Sequence, residues 1–228
     1  MITEGEWQVI ALSLRVGLVA VATTLPLAYA LAWLLARRDF PGKLLLDGAI
    51  HLPLVVPPVV TGWLLLLAFA PTGPLGIVVE AMTGGTVLFR WTGAAIAAGV
   101  MALPLMVRAI RLGIESVDAR MEGVARTLGA GRWRSFATVT LPLSLPGILA
   151  GVVLGFARAL GEFGATITFV SNVPGETQTL PIAIYALLQT PGGEGAVFRL
   201  AVISVILSLG ALVTSEWIAR RARVQTPL

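Results

Sequence analysis

The chain has 228 residues, of which 57% are hydrophobic and 12% are charged, and its formal net charge is +4. A soluble domain carries about 25% charged residues, so this composition excludes an ordinary soluble globular protein and predicts several transmembrane helices. Cysteine is absent and His51 is the one histidine. This excludes disulfides, a cysteine nucleophile and a metal site built from several histidines, and no metal site is predicted.

Five apolar segments are long enough to cross a bilayer, which requires about 20 mostly apolar residues. They cover approximately residues 9–36, 52–70, 91–110, 141–170 and 197–219. A sixth apolar run, 180–188, is too short to span and is predicted to be interfacial or re-entrant. Glu4 and Glu6 stand where a signal peptide would be basic, so the first helix is expected to remain in the mature protein. The predicted fold class is an all-α polytopic integral membrane protein with one transmembrane domain over 1–228.

Lysine and arginine alternate between rich and poor connections along the chain. Residues 37–50 contain three, 108–138 contain six and the tail contains Arg220, Arg221 and Arg223, whereas 1–8 and 171–198 contain none. Because cytoplasmic loops carry the excess of positive charge, we expect the N-terminus outside and the C-terminus in the cytoplasm. Membrane orientation then explains the basic character of the chain, and no nucleic-acid partner is predicted.

The second predicted span contains two adjacent prolines, Pro57 and Pro58, with Thr61 one turn later. Proline removes a backbone donor and disrupts the helical hydrogen bonds. The sequence therefore predicts a kink here, or alternatively a flexible gate that lines a transport path. His51, near the cytoplasmic boundary, is interpreted as a satisfied interfacial residue.

The connection over 108–138 is the longest that we place in the cytoplasm, and its pattern is helical. Apolar residues recur on one helical face, and these are Val117, Met121, Val124 and Leu128. Asp118, Glu122 and Arg126 follow one another at steps of one helical turn, of which the step from Glu122 to Arg126 joins opposite charges favourably, and Gly129 permits a turn. The segment is either an amphipathic linker at the interface or a docking helix for a cytoplasmic partner.

The fourth predicted span carries Gly147, Gly151 and Gly155, a double GxxxG pattern that lets another helix approach closely. Arg158 and Glu162 fall on the same side of an ideal helix at roughly 100° per residue, where one turn separates them. An unpaired charge in the bilayer is costly. We therefore predict a buried pair, which serves either as a packing clamp or in gating and anion passage.

Polar residues follow this pair along the chain, and these are Thr166, Thr168, Ser171 and Asn172. Their hydroxyl and amide groups could donate hydrogen bonds to an anion, or they could satisfy one another at a helix end. A stripe of small residues marks the first span, and its members are Ala20, Thr24, Ala28 and Ala32. Such stripes favour close helix contacts and are taken here as a possible homodimer contact.

The stretch from Gly123 to Gly129, followed by Val139-Thr140-Leu141-Pro142, resembles the EAA loop of ABC importer permeases. Gly123 and Val124 stand where that family has Glu-Ala, and the acid lies one residue earlier at Glu122. Six further segments resemble the molybdate branch of that family. They are 40–43, 51–58, 104–111, 125–133, 158–166 and 189–194.

This resemblance implies a type I importer permease fold with five transmembrane helices in the bacterial cytoplasmic (inner) membrane. It implies a homodimer that pairs with a dimer of a cytoplasmic ABC ATPase and receives an oxyanion from a periplasmic binding protein. The coupling loop would cover about 112–138. The residues implied in ATPase coupling are Arg120, Glu122, Gly123, Ala125, Arg126, Gly129, Leu141 and Pro142. Those expected along a path or gate are Pro57, Pro58, Thr61, Arg158, Glu162, Thr166, Thr168 and Asn172.

The sequence contains no G-x-x-x-x-G-K-[ST] loop, since its one lysine, Lys43, is followed by Leu44. We therefore expect no enzyme activity and no cofactor in this chain, and place ATP and Mg²⁺ in the partner ATPase. Alternating access would follow when the partner moves the coupling segment.

The choice of molybdate depends on the resemblance alone, and sulfate, thiosulfate and tungstate stay open as substrates. An intramembrane enzyme would need a catalytic set, for which Arg158 and Glu162 are the one ionic candidate. A channel or ion-coupled carrier would work without an ATPase and would not need the coupling segment.

Overall fold

The computed structural model describes residues 2–224, with the side chains of these residues except 119, 215, 216 and 218–224. This part of the chain is helical and contains no strand. The α-helices are α1 Glu4–Arg37, α2 Lys43–Val55, α3 Pro58–Phe69, α4 Pro74–Thr83, α5 Trp91–Glu115, α6 Ala119–Thr127, α7 Arg132–Ser135, α8 Leu141–Leu160, α9 Gly164–Val170, α10 Leu180–Leu188 and α11 Glu194–Val224. A π-helix, Phe136–Thr140, joins α7 to α8.

Four helical stretches are long and apolar enough to cross a membrane, and a fifth crossing results if the bent pair α2–α3 counts as one span. The four stretches are Glu4–Arg37, Trp91–Glu115, Arg132–Leu160 and Glu194–Thr214. The predicted all-α polytopic fold is thereby confirmed. The nine-residue helix α10 is also present as predicted. Of the residues counted for orientation, Arg220, Arg221 and Arg223 lie outside the described side chains.

The prediction of one helix over 52–70 is wrong, because the chain breaks at the two prolines. Helix α2 begins at Lys43 and ends before Val56, and α3 begins at Pro58, with a bend of 113° between the two axes. Pro57 has extended backbone angles, φ −52° and ψ 134°. A residue before proline is pushed out of the helical region, and proline is favoured at the first helical position. The predicted kink is therefore a complete break.

The prediction of one span over 141–170 is correct at its start, where α8 begins at Leu141, and wrong at its end. The helical stretch that includes α7 and the π-helix begins at Arg132 and stops at Leu160, and α9 is a separate short helix that begins at Gly164. The N–H of Gly161 donates to backbone carbonyls of the last turn of α8. Glu162 therefore lies beyond the end of α8, so an ideal-helix argument does not apply to it.

Helix α5 packs between α1 and α8 and carries much of the buried apolar surface. The predicted glycine stripe of α8 faces it. A Cβ atom on Gly147 would lie 2.6 Å from the Cα of Gly113, and Cβ atoms on Gly151 and Gly155 would lie 2.9 and 2.7 Å from side-chain atoms of α5. The predicted close helix approach at this stripe is confirmed.

The stripe of small residues on α1 packs within the chain. Ala20, Ala28 and Ala32 are completely buried, and a Cβ atom on Gly99 of α5 would lie 2.6 Å from the hydroxyl oxygen of Thr24. The stripe therefore joins α1 to α5. It does not offer the homodimer contact that the sequence suggested.

Polar contacts join the N-terminal part of α1 to the starts of α10 and α11. Arg199, near the start of α11, donates twice to the buried carboxylate of Glu6 on α1, at 2.7 and 3.0 Å. The N–H of Leu180, at the start of α10, donates to the Ser13 hydroxyl at 2.7 Å. These contacts hold α1, α10 and α11 together as one group.

Candidate functional site

The predicted helix of the coupling segment is α6, which follows α5 after a short turn. The carboxylate of Asp118 accepts a hydrogen bond from the N–H of Arg120 at 2.8 Å and caps the helix. The helix ends at Thr127, and Gly129 has φ +87°, in the left-handed region that glycine tolerates. The predicted helix and turn are confirmed.

The predicted apolar face of this helix is only partly correct. Val117 lies before the helix begins and is buried, whereas Met121, Val124 and Leu128 are exposed. The reason is that α5 ends at Glu115 and the chain turns before α6 starts. The described part of this chain leaves half or more of the surface of these three exposed residues, and of Trp133 on α7, uncovered.

The residues expected to couple to an ATPase divide into exposed and inward-facing ones. Arg120, Gly123, Arg126, Gly129, Leu141 and Pro142 are exposed, and Ala125 is half-buried. The side chain of Glu122 points toward its own chain. Its carboxylate accepts a hydrogen bond from the Thr140 hydroxyl at 2.6 Å and lies 3.5 Å from the guanidinium of Arg37. The role of these residues in coupling stays a prediction.

Arg37 and Thr140 contact the Glu122 carboxylate, and the sequence analysis did not predict either contact. Arg37, the last residue of α1, also donates to the carbonyl of Val117 at 3.1 Å. The sequence analysis used Arg37 only as a positive charge that indicates membrane orientation. Its contact Val117 is 80 residues away along the chain, so no local pattern indicates it. Thr140 falls within the EAA-like pattern at a position with no assigned role.

Replacing Gly129 by valine is expected to leave the protein inserted but to impair coupling. A β-branched side chain is unfavourable at φ +87°, at a cost on the order of 1–2 kcal/mol, and open space around Gly129 means that the strain comes from the backbone. Substrate-stimulated ATP hydrolysis and ATPase co-purification measure the effect. Gly129→Asn, which tolerates this conformation, should retain coupling. Gly131→Ala is the control because Gly131 has φ −65° and equally open surroundings; equal results for the valine variant and this control would contradict the prediction.

Two of the predicted path residues, Pro58 and Thr168, lie where α3 packs on α9. A Cβ atom on Gly62 would lie 2.5 Å from the carbonyl oxygen of Ala165 and 2.9 Å from the Cβ of Thr168. A Cβ atom on Gly164 would lie 2.8 Å from the Cβ of Pro58. The two helices therefore touch through glycines, and any separation of α3 from α9 would open this contact.

The individual path residues differ in exposure. Thr61 and Thr166 are buried, whereas Pro57, Pro58 and Asn172 are exposed and Thr168 is half-buried. The hydroxyl of Thr168 donates to the carbonyl of its own helix at 2.8 Å. The structure thus brings Pro58 and Thr168 to the contact between α3 and α9, whereas Thr61 is buried on α3 and Asn172 is exposed. A role for these residues in passage stays a prediction.

The predicted ion pair between Arg158 and Glu162 is confirmed, with the two side chains 2.5 Å apart. The Glu162 side chain is 1% exposed and that of Arg158 is 25% exposed. Glu162 also accepts the N–H of Ala165 at 2.8 Å, which ties the pair to the start of α9. The pair therefore bridges the break between α8 and α9 and lies next to the contact between α3 and α9.

A second charged cluster joins α2 to α5 near the predicted cytoplasmic side. Arg111 contacts Asp47 at 3.2 Å and Glu115 at 2.7 Å. His51 lies 2.9 Å from the Asp47 carbonyl, in keeping with a satisfied interfacial histidine. Among the described residues, no three His, Asp or Glu side chains form a group that could hold a metal ion.

Comparison with known proteins shows which family has this arrangement. A sequence model of the family described as "Binding-protein-dependent transport system inner membrane component" matches residues 9–224. The chain belongs to this family. Membership confirms the predicted importer permease family and, with the apolar helices, makes the chain a multi-pass inner-membrane component.

Two relatives are similar over nearly their whole length. The molybdenum transport system permease protein ModB of Escherichia coli (strain K12) is 57% identical over 98% of this chain and 97% of its own. The protein of the same name from Haemophilus influenzae is 55% identical over 95% of this chain and 94% of its own. A solved bacterial alginate ABC transporter in complex with its substrate-bound periplasmic protein contains a chain with the same fold. Its TM-score is 0.75 at 17% identity, and the match covers 96% of this chain and 80% of that chain.

Proposed function

We propose that this chain is the membrane-spanning subunit of an ATP-driven importer that moves molybdate into the cytoplasm by alternating access. The observation that carries the proposal is the 57% identity, over nearly the full length of both chains, to a molybdenum transport permease. The exposed helix α6 supports it, since the subunit of an ATP-driven importer that lacks a phosphate-binding loop needs a surface through which an ATPase partner can act on it.

The proposed partners follow from the same reasoning. A cytoplasmic ABC ATPase dimer would bind ATP and Mg²⁺ and contact α6 and the neighbouring Trp133. A periplasmic oxyanion-binding protein would deliver the substrate on the opposite side. The excess of Lys and Arg in 37–50 and 108–138 supports the proposal that α6 lies in the cytoplasm and the N-terminus outside.

Reconstitution in vesicles with and without the candidate ATPase tests the function. The complete complex with its binding protein is expected to accumulate molybdate only when ATP is present. Tungstate, sulfate and thiosulfate are compared at equal concentrations. Uptake of sulfate in preference to molybdate would contradict the proposed substrate. Uptake by the permease alone would contradict an ATP-driven importer and favour a carrier or channel.

We also propose a homodimer whose path follows the two-fold axis. Large apolar side chains of α3 are exposed, among them Val59, Trp63 and Leu67, so this helix can face a second copy. The chain has no cysteine, so single cysteines placed along α3 and α11 report contacts without background. We expect that single cysteines on one of these two helices will form disulfide-linked dimers of the permease in membranes. An active species that is strictly monomeric would contradict the homodimer.

A further inference from the structure

Glu122 of α6 lies where three parts of the chain meet: the end of α1, the coupling helix, and the π-helix at the base of α8. We propose that Arg37, Glu122 and Thr140 form an internal latch that fixes α6 to α1 and α8 together. Movement imposed on α6 then reaches two spans at once. The inference depends on the proposed function, since it concerns how an ATPase moves this permease.

The contacts of the latch converge on one carboxylate. Oxygen Oε1 of Glu122 accepts the Thr140 hydroxyl at 2.6 Å and lies 3.5 Å from Nη2 of Arg37. The same Nη2 donates to the carbonyl of Val117, just before α6, at 3.1 Å. The other carboxylate oxygen is 3.6 Å from Arg126 on the next turn. Arg37 therefore holds both the entry to α6 and its central acid.

Burial separates the latch from a docking surface. The exposed fractions of the Arg37 and Glu122 side chains are 16% and 21%, and Thr140 is completely buried. By contrast, the side chain of Arg120 on the same helix is 92% exposed. A partner reaches Arg120 directly but reaches Glu122 only through α6 itself. Glu122 thus acts as a positioning residue within the permease.

The π-helix explains how the segment that leads into α8 contacts Glu122 at two places, through Ser135 and Thr140. Ser135 and Thr140 are five residues apart; the Ser135 hydroxyl donates to the Glu122 carbonyl at 3.4 Å and the Thr140 hydroxyl to its carboxylate. In an α-helix, residues five apart point about 140° away from each other. The wider π-turn brings them to one side, and such turns are frequent at functional sites. Tyr29 of α1 packs against Phe136 of the same π-helix, with ring centroids 5.9 Å apart.

The test compares three variants that each remove one part of the latch: Arg37→Gln, Glu122→Gln and Thr140→Val. Each is assembled with the ATPase and binding protein, and oxyanion uptake is measured per ATP hydrolysed. We expect this ratio to fall about fivefold to tenfold in all three, the size of a typical coupling between sites. The amount of ATPase that co-purifies should match wild type, because no docking contact is removed. Thr140→Ser, which keeps the hydroxyl, should retain the ratio.

Arg38→Gln is the matched control, since Arg38 follows Arg37 directly but is exposed, its guanidinium 5.7 Å from the Trp33 ring. Glu122→Gln and Thr140→Val are close in shape to the native residues, and Arg37→Lys provides a charged alternative if Arg37→Gln lowers folded yield. Loss of ATPase binding in Glu122→Gln alone would overturn the latch and make Glu122 a docking contact. An unchanged ratio in Arg37→Gln and Thr140→Val would overturn it as well. The ratio is measured with whichever oxyanion the wild-type complex imports, so a wrong substrate assignment does not affect it.

Discussion

Removing either member of the Arg158–Glu162 pair is expected to reduce the yield of folded permease severalfold. Breaking a buried ion pair leaves an unmatched charge, at a cost of about 3–5 kcal/mol. The two variants should differ. Arg158→Ala leaves a carboxylate that is 1% exposed, whereas Glu162→Ala leaves a guanidinium that is 25% exposed. We therefore expect the larger loss for Arg158→Ala, measured as monodisperse protein after detergent extraction.

The double variant Arg158→Leu with Glu162→Leu should recover folded yield better than either single change, because no charge is left unpaired. Recovery of oxyanion uptake as well would identify a packing clamp between α8 and α9. Recovery of yield without uptake would show that a charge acts in gating or anion passage. Normal yield and uptake in both single variants would contradict the prediction.

An exposed pair with the same spacing provides the control. Lys43 lies 2.9 Å from Asp39, and the Asp39 side chain is 99% exposed. The hydrogen bond from Lys43 lowers the pKa of the Asp39 carboxyl, so the pair is charged at neutral pH. Surface pairs of this kind contribute little to stability, and Asp39→Asn should leave folded yield unchanged.

Replacing Gly147 is expected to produce the other large effect, by separating α5 from α8. A Cβ atom there would lie 2.6 Å from the Cα of Gly113 and 3.0 Å from the carbonyl oxygen of Ala109, and backbone atoms cannot yield as a flexible side chain does. Gly147→Ala should cost about 1–3 kcal/mol, the usual range for overpacking. Gly147→Leu should give no folded protein. Thermal unfolding in detergent measures the first effect and monodisperse yield measures the second.

Gly210 on α11 is the control because a Cβ atom there would have no atom within 4 Å. Gly210→Ala changes helix propensity as Gly147→Ala does, but creates no clash. Its unfolding temperature should therefore equal or exceed that of wild type. A wild-type unfolding temperature for Gly147→Leu would contradict the close approach of the two helices.

Features encoded by nearby residues were predictable from the sequence. The apolar composition fixed the membrane class, and the EAA-like spacing identified the importer family. Arg158 and Glu162 were predicted to pair, and the glycine stripe of α8 was predicted to approach another helix. Each of these depends on short-range spacing, on bulk hydrophobicity or on the cost of an unpaired charge, and the sequence displays all three directly.

Features that depend on distant parts of the chain were decided by the tertiary structure. The sequence predicted a disruption at Pro57–Pro58, but it did not predict the 113° bend between α2 and α3 or the packing of α3 on α9. It placed Glu162 on the fourth span, whereas the chain turns at Gly161 and the pair bridges two helices.

The coupling segment shows the same division between local pattern and long-range contact. The sequence predicted α6 and its turn, because helical periodicity, charges spaced by one turn and a glycine are local signals. It did not show that Glu122 faces inward, since the partner that orients it, Arg37, is far away in the chain. Sequence spacing determines which helices can form. Only packing of the helices decides which side of each is buried, because burial depends on neighbours that the local sequence does not contain.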